Sequence, residues 1–173
     1  MHRTTRVMAV RHGETAWNVD ARMQGHLDIP LNERGRWQAQ RVAAALAEEP
    51  LVAVYASDLA RAFETAQAIA APHGLNVQQD VALRERGFGK FEGRTYVEIS
   101  EHWPSEGDLW RRRDPEFAPA GGESLREFSA RCVDACARLA AAHPGETIAI
   151  VAHGGVMDCL YRAASRIELQ APR

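Results

Sequence analysis

The chain has 173 residues, 46% of them hydrophobic, with 21 basic and 23 acidic side chains and a formal net charge of −2. That length and apolar content fit one domain able to bury a core, and the near-neutral balance with no basic block argues against nucleic acid or an anionic membrane as partner. Uninterrupted apolar stretches reach six residues at most, far below the ~20 of a membrane span, and "MHRTTR" lacks a signal-peptide apolar region, so the expectation is a cytoplasmic protein.

The first element, an apolar run at 6–10, breaks into Arg11, His12 and Gly13 in "RVMAVRHGETAWN". In "NERGRWQAQRVAAALAEE", Ala39, Val42, Ala43 and Leu46 recur at helical spacing, with Asn32 as the N-cap. A second apolar run at 52–56 precedes Ser57 and a helix running to about Ala71 that carries Arg61 in its first turns. The segment 84–122 is rich in glycine, proline and aromatic residues; it is long for a connection and is expected to be an irregular lid or substrate-specificity segment, the alternative being a short helix plus a tethered loop. Ser124 and Glu127 then form a capping box, followed by an apolar stripe of Leu125, Phe128, Cys132, Cys136 and Leu139. The last run, 147–152, again breaks into His153, Gly154 and Gly155. The cysteines, Cys132, Cys136 and Cys159, show no C-x-x-C spacing and read as structural thiols.

Continuous apolar runs suit strands covered on both faces, and their alternation with helices predicts an α/β layered fold with a largely parallel sheet. Ligands of such sheets bind outside the carboxyl ends of the strands, where both His-Gly pairs fall. Either histidine alone could simply satisfy a backbone carbonyl. Together with Arg11, Arg61 and the free amides of a helix N-terminus, they describe a site for a tetrahedral anion, and phosphate is the natural occupant.

A nucleotide P-loop, a zinc-ligand set and a serine-hydrolase elbow have no matching motif. The chemistry then falls to imidazole: a neutral His12 attacks phosphorus while flanking arginines hold the phosphoryl oxygens. The leaving alkoxide needs a proton, and Glu85, Glu14 and Glu92 are the candidate acids.

These segments, "VRHGETAWN", "QGHLDIPLNERGRWQA", "YASDLARAFETA", "LRERGFGKFEG", "GGESL" and "VAHGGV", occur in the order found in the histidine phosphatase superfamily, which the chain resembles over nearly its whole length. The resemblance implies a phosphoglycerate mutase-like fold: a single domain over 1–173 with a largely parallel central sheet and helices on both faces. It implies His12 as nucleophile, Arg11 and Arg61 as phosphoryl clamp, His153 as donor to the equatorial oxygens and Glu85 as acid, ahead of Glu14 and Glu92. Asn18, Gln24, Gly25 and Gly154 would line the substrate pocket. No metal and no cofactor are implied, and the partner would be a small phosphorylated metabolite.

The family's mutases carry Glu-Arg-His-Tyr where this chain has Glu85, Arg86, Gly87 and Phe88, and His-Gly-Asn where it has His153, Gly154 and Gly155. These departures favour a phosphatase over a phosphoglycerate mutase; a non-catalytic module that only binds a phospholigand is the alternative from another class, which release of phosphate from para-nitrophenyl phosphate would separate. "LWRRRD" at 109–114 faintly resembles the mutases' substrate-binding arginines, but Arg111, Arg112 and Arg113 read rather as a solvated basic turn. Relatives continue with strand-forming sequence where the text here stops at "RIELQAPR", and a homodimer through an edge so exposed is one expectation.

Overall fold

In the computed structural model, which describes residues 3–172, the chain alternates strands and helices: β1 (Arg6–Arg11), α1 (Ala16–Val19), α2 (Glu33–Leu46), β2 (Leu51–Ala56), α3 (Ala60–Ala70), β3 (Val77–Gln79), α4 (Tyr96–His102), α5 (Pro104–Arg111), α6 (Leu125–Ala141), β4 (Thr147–Ala152) and α7 (Gly154–Ser165). The strands form one sheet in the order β1-β4-β2-β3. Every pairing is parallel.

The central strands β2 and β4 are apolar because both faces are covered, whereas β1, expected to be covered likewise, is an edge strand with no buried residue. Along β4, every residue is buried. Successive side chains point to opposite faces. Ile148, Ile150 and Ala152 pack with Leu125, Phe128, Cys132, Val156 and Cys159 of α6 and α7. Ala149 and Val151 pack on the other face with Ala43, Ala66, Ile69 and Ala70 of α2 and α3. The expected α/β layering with helices on both faces is therefore what the chain adopts. All three cysteines are free thiols; Cys132 and Cys159 are buried and Cys136 is half-buried.

Helix starts follow the side chains that cap them. The Asn32 side chain accepts from the Gly35 amide at 2.8 Å. Ser124 accepts from the Glu127 amide at 3.1 Å while Glu127 accepts from the Ser124 amide at 2.9 Å, so two otherwise orphaned donors are satisfied reciprocally.

Two further expectations need correction. The 84–122 segment is not irregular throughout, since it contains α4 and α5. These helices pack around Phe91, which is fully buried and lies 5.7 Å from the Trp103 ring and 5.9 Å from the Trp110 ring. The Arg86 guanidinium stacks 4.4 Å over Trp110 and donates to the carbonyls of Glu123 and Phe117, tying the segment to the start of α6.

Nor are Arg111 to Arg113 merely a solvated turn. Arg111 and Arg113 line a cavity, and Arg113 pairs with Asp158 of α7 at 2.7 Å. Arg111 and Arg112 are both exposed and both bridge Asp108, at 2.5 Å and 2.8 Å, so the solvated reading fails chiefly for Arg113.

Candidate active site

The parallel register sets the site. Arg11, the last residue of β1, lies opposite Ala152, the last residue of β4, and Ala56 of β2 lies opposite Val151. The residues that follow these strand ends, His12, His153 and Ser57, are therefore neighbours. The imidazoles of His12 and His153 stand 5.2 Å apart between ring centroids, at an interplanar angle of 62°.

Gly13 follows His12 because the backbone of α2 comes in against it: a Cβ there would lie 2.3 Å from the Gly35 carbonyl oxygen. Gly35 is glycine for the reciprocal reason, with its Cβ position 2.1 Å from the Glu14 carbonyl oxygen. This close approach and a hydrogen bond from the Gly13 amide to Thr65 Oγ1 at 3.1 Å fix the loop that carries His12.

His12 Nδ1 is 2.6 Å from the Gly13 carbonyl oxygen. A carbonyl can only accept, so Nδ1 carries the proton and Nε2 presents a lone pair. Burial, with the charges of Arg61 and Arg11 behind it, lowers the pKa of this ring to about 4 against the opposing pull of the Gly13 hydrogen bond. His12 is thus neutral at neutral pH. Because an unfolded ring titrates near 6.5, the unfolded chain binds the extra proton between about 4 and 6.5, and stability falls as pH drops through that window. The ring nitrogen resonances of His12 should report the neutral Nδ1–H form at pH 7 and titrate with a midpoint of about 4. A midpoint at the ordinary value of about 6.5 would contradict this environment.

His153 is fully buried, and burial together with the Arg61 charge pushes its pKa well below the ordinary value. Its Nε2 lies 2.8 Å from Ser57 Oγ. Its Nδ1 is buried with no hydrogen-bond partner among the described residues.

Arg61 is 1% exposed, an unusual state for a guanidinium. Its terminal nitrogens donate to the carbonyls of Leu27 at 2.8 Å and Gly25 at 2.9 Å, whereas Nε is buried and unpartnered among the described residues. A buried donor left unsatisfied costs about 1–3 kcal/mol. An incoming anion would relieve that cost at Arg61 Nε, and at His153 Nδ1 when that nitrogen carries the proton.

Glu85 sits at the opening. Its Oε1 accepts from the Arg86 amide at 2.9 Å and its Oε2 from the Gly155 amide at 3.0 Å. It shares with Arg11, Gly154, Gly155, Trp110 and Arg111 a cavity of about 770 Å³. A second cavity of about 330 Å³ is lined by Arg11, His12, Glu14 and Asn18, so Arg11 borders both.

The other expected residues divide by place. Asn18 and Gly154 each line one of the two cavities. Gln24 and Gly25 line neither: Gln24 accepts from the Thr15 hydroxyl at 2.9 Å, and Gly25 works through its carbonyl on Arg61. The rivals to Glu85 have other bonds, Glu14 accepting from Asn32 and Glu92 from the amides of His26 and Phe88. Ser57 and Thr65 went unnoticed in the sequence, where each reads as an ordinary helix-start or helix-face residue. Among the described residues, no group of three or more His, Cys, Asp or Glu side chains is placed to hold a metal ion.

The family model of the histidine phosphatase superfamily, branch 1, matches residues 7–173. The chain is 48% identical over 162 residues to phosphoglycerate mutase-like protein 4 of Arabidopsis thaliana, covering 91% of this chain and 70% of that protein. It is 36% identical over 173 residues to a glucosyl-3-phosphoglycerate phosphatase of Mycobacterium tuberculosis, covering 95% of this chain and 77% of that one. The solved structure of Bacillus stearothermophilus YhfR superposes with a TM-score of 0.91 at 37% identity, over 98% of this chain and 85% of that chain.

Proposed function

The chain belongs to the histidine phosphatase superfamily, branch 1, and from that membership and the site's geometry we propose that it hydrolyses small phosphomonoesters through a phosphohistidine on His12. The observation that carries the proposal is the pair of buried, unpartnered polar atoms, Arg61 Nε and His153 Nδ1, beside a histidine whose Nδ1 is already committed to Gly13. In this reading they are the donors for phosphoryl oxygens, and the His12 ring has only Nε2 left with which to attack.

In the first step the Nε2 lone pair forms the N–P bond as the P–O ester bond breaks, and the leaving oxygen takes its electron pair and a proton from Glu85. Arg11 and Arg61 hold the equatorial oxygens. His153 donates from Nδ1 when its neutral ring carries the proton there and Nε2 accepts a hydrogen bond from the Ser57 hydroxyl, an arrangement that the 2.8 Å Ser57–His153 contact allows. In the second step water attacks phosphorus and passes its proton to the Glu85 carboxylate. The N–P bond breaks, its electrons returning to Nε2. The negative charge that builds on the oxygens meets donors already in place, so little reorganisation accompanies either step. The large cavity beyond Glu85 accommodates the leaving group of a small phosphorylated metabolite.

A panel of monoesters tests the proposal. Aryl and sugar phosphates should release inorganic phosphate in excess chelator, because Arg11 and Arg61 supply the positive field, and vanadate should inhibit strongly as a mimic of five-coordinate phosphorus. 3-Phosphoglycerate with 2,3-bisphosphoglycerate should yield little 2-phosphoglycerate. Activity lost in chelator and restored by zinc or magnesium, or mutase turnover exceeding every hydrolysis, would overturn it.

A further inference from the structure

Ser57 and His153 are both fully buried. The Ser57 amide donates to the Val151 carbonyl at 3.1 Å, which holds its side chain beside the end of β4. Among the described residues its hydroxyl oxygen has two partners, accepting from the Leu59 amide at 3.3 Å and lying 2.8 Å from His153 Nε2. A hydroxyl has one proton to donate, and an amide N–H offers no lone pair to receive it. Among the described residues, the Ser57 proton therefore has His153 Nε2 as its acceptor.

The two tautomers of His153 differ in whether they permit this bond. Nδ1 lacks a partner among the described residues in either form, so the choice is made at Nε2. With the ring proton on Nδ1, the Nε2 lone pair accepts from the hydroxyl and both groups are satisfied. With the ring proton on Nε2, the ring and the Leu59 amide both donate to one oxygen, and the hydroxyl proton is buried without an acceptor. An unmet donor of that kind shifts the tautomer ratio by about five- to a hundredfold. The doubly protonated ring is disfavoured by burial and by the Arg61 charge.

We propose that Ser57 is a positioning residue: its hydroxyl fixes His153 in the tautomer with hydrogen on Nδ1, so that this nitrogen is a donor before any substrate arrives. The proposal rests on the hydrolase reading above, in which His153 donates to the phosphoryl oxygens. The opposite tautomer would turn the Nδ1 lone pair toward those oxygens and replace attraction by repulsion as their charge grows. A donor whose proton is already in place stabilises that charge with no rearrangement during the step.

The experiment begins with the ring ¹⁵N spectrum of His153 in ligand-free protein at pH 7. Wild type should show a protonated Nδ1 and an unprotonated Nε2. Ser57→Ala keeps the backbone bond to Val151 and removes only the hydroxyl, and it should move the tautomer ratio toward Nε2–H by at least about fivefold. In the same variant, kcat should fall about ten- to a hundredfold with an alkyl phosphate and with para-nitrophenyl phosphate alike, because His153 bears on the phosphoryl oxygens and not on the leaving group. In a His153→Ala background, Ser57→Ala should cost no more than about a further twofold, since the ring through which it acts is gone. Wild-type His153 protonated at Nε2 would overturn the proposal whatever the variants do. So would a tautomer ratio unchanged in Ser57→Ala, or losses that multiply in the double variant. The spectrum is read without substrate, so it decides on Ser57 separately from the hydrolase reading, which falls instead if wild type releases phosphate from no monoester.

Discussion

Replacing His12 by alanine should lower phosphate release from every monoester by on the order of 10⁴-fold or more, because no other group occupies the attacking position. The ring is buried against His153, yet its loss removes no strand pairing and no residue of either hydrophobic cluster. Circular dichroism and the melting temperature should therefore show a folded protein. Binding of vanadate or phosphate should persist, weakened, since Arg11, Arg61 and His153 remain. Turnover within tenfold of wild type in a folded His12→Ala variant would remove the nucleophile from the account.

The second large effect belongs to Glu85. Glu85→Gln keeps the shape of the side chain and an oxygen able to accept from the Gly155 amide, but it cannot release a proton. Hydrolysis of an alkyl phosphate should fall by about 10²- to 10⁴-fold, and that of para-nitrophenyl phosphate by far less. The carboxylates of Glu14 and Glu92 are engaged by Asn32 and by the amides of His26 and Phe88. Glu85 is hydrogen-bonded too, but it lines the larger cavity, whereas Glu14 lines the smaller one and Glu92 neither; Glu14→Gln and Glu92→Gln should show no dependence on the leaving group. A leaving-group dependence in Glu14→Gln that is missing from Glu85→Gln would transfer the acid role to the residue bordering the His12 cavity.

Much of this arrangement was legible in the sequence for a physical reason. A strand buried on both faces must be apolar without interruption, so β2 and β4 stand out; β1 has a similar run although it is an edge strand with no buried residue, and the break in each run marks the sheet edge where polar groups collect. Arg11, His12 and His153 could be placed together because adjacent parallel strands end side by side. The 3-residue β3 was not legible: two of its residues are exposed glutamines, and no apolar pattern marks it. The short α4 and α5 left signals that the surrounding glycines and prolines obscured, namely the capping box of Thr95 and Glu98 and a proline opening α5. The start of α7 was hidden by Gly154 and Gly155, which resemble a turn.

Side-chain roles set by tertiary contacts were the least legible. Ser57 follows a strand and precedes a helix, where serine needs no special explanation. Only the bond from its amide to the Val151 carbonyl, which brings β2 beside β4, carries its hydroxyl to His153. Likewise, Gly25 was expected on the pocket wall, but its function here is to offer a carbonyl to Arg61. Arg113 is set apart from Arg111 and Arg112 by its pairing with Asp158 of α7, and the residues of α6 and α7 that line the cavity lie outside the segment carrying these arginines.

The central claim is a covalent bond between phosphorus and His12, and it is tested most directly by mixing wild-type protein with a ³²P-labelled monoester, quenching within milliseconds in base, and mapping the label by peptide. The account predicts a transient adduct that is stable in base, labile in acid and confined to the peptide containing His12, and that forms and decays no more slowly than turnover. Label on any other residue, or phosphate release at full rate with no adduct at any quench time, would contradict it.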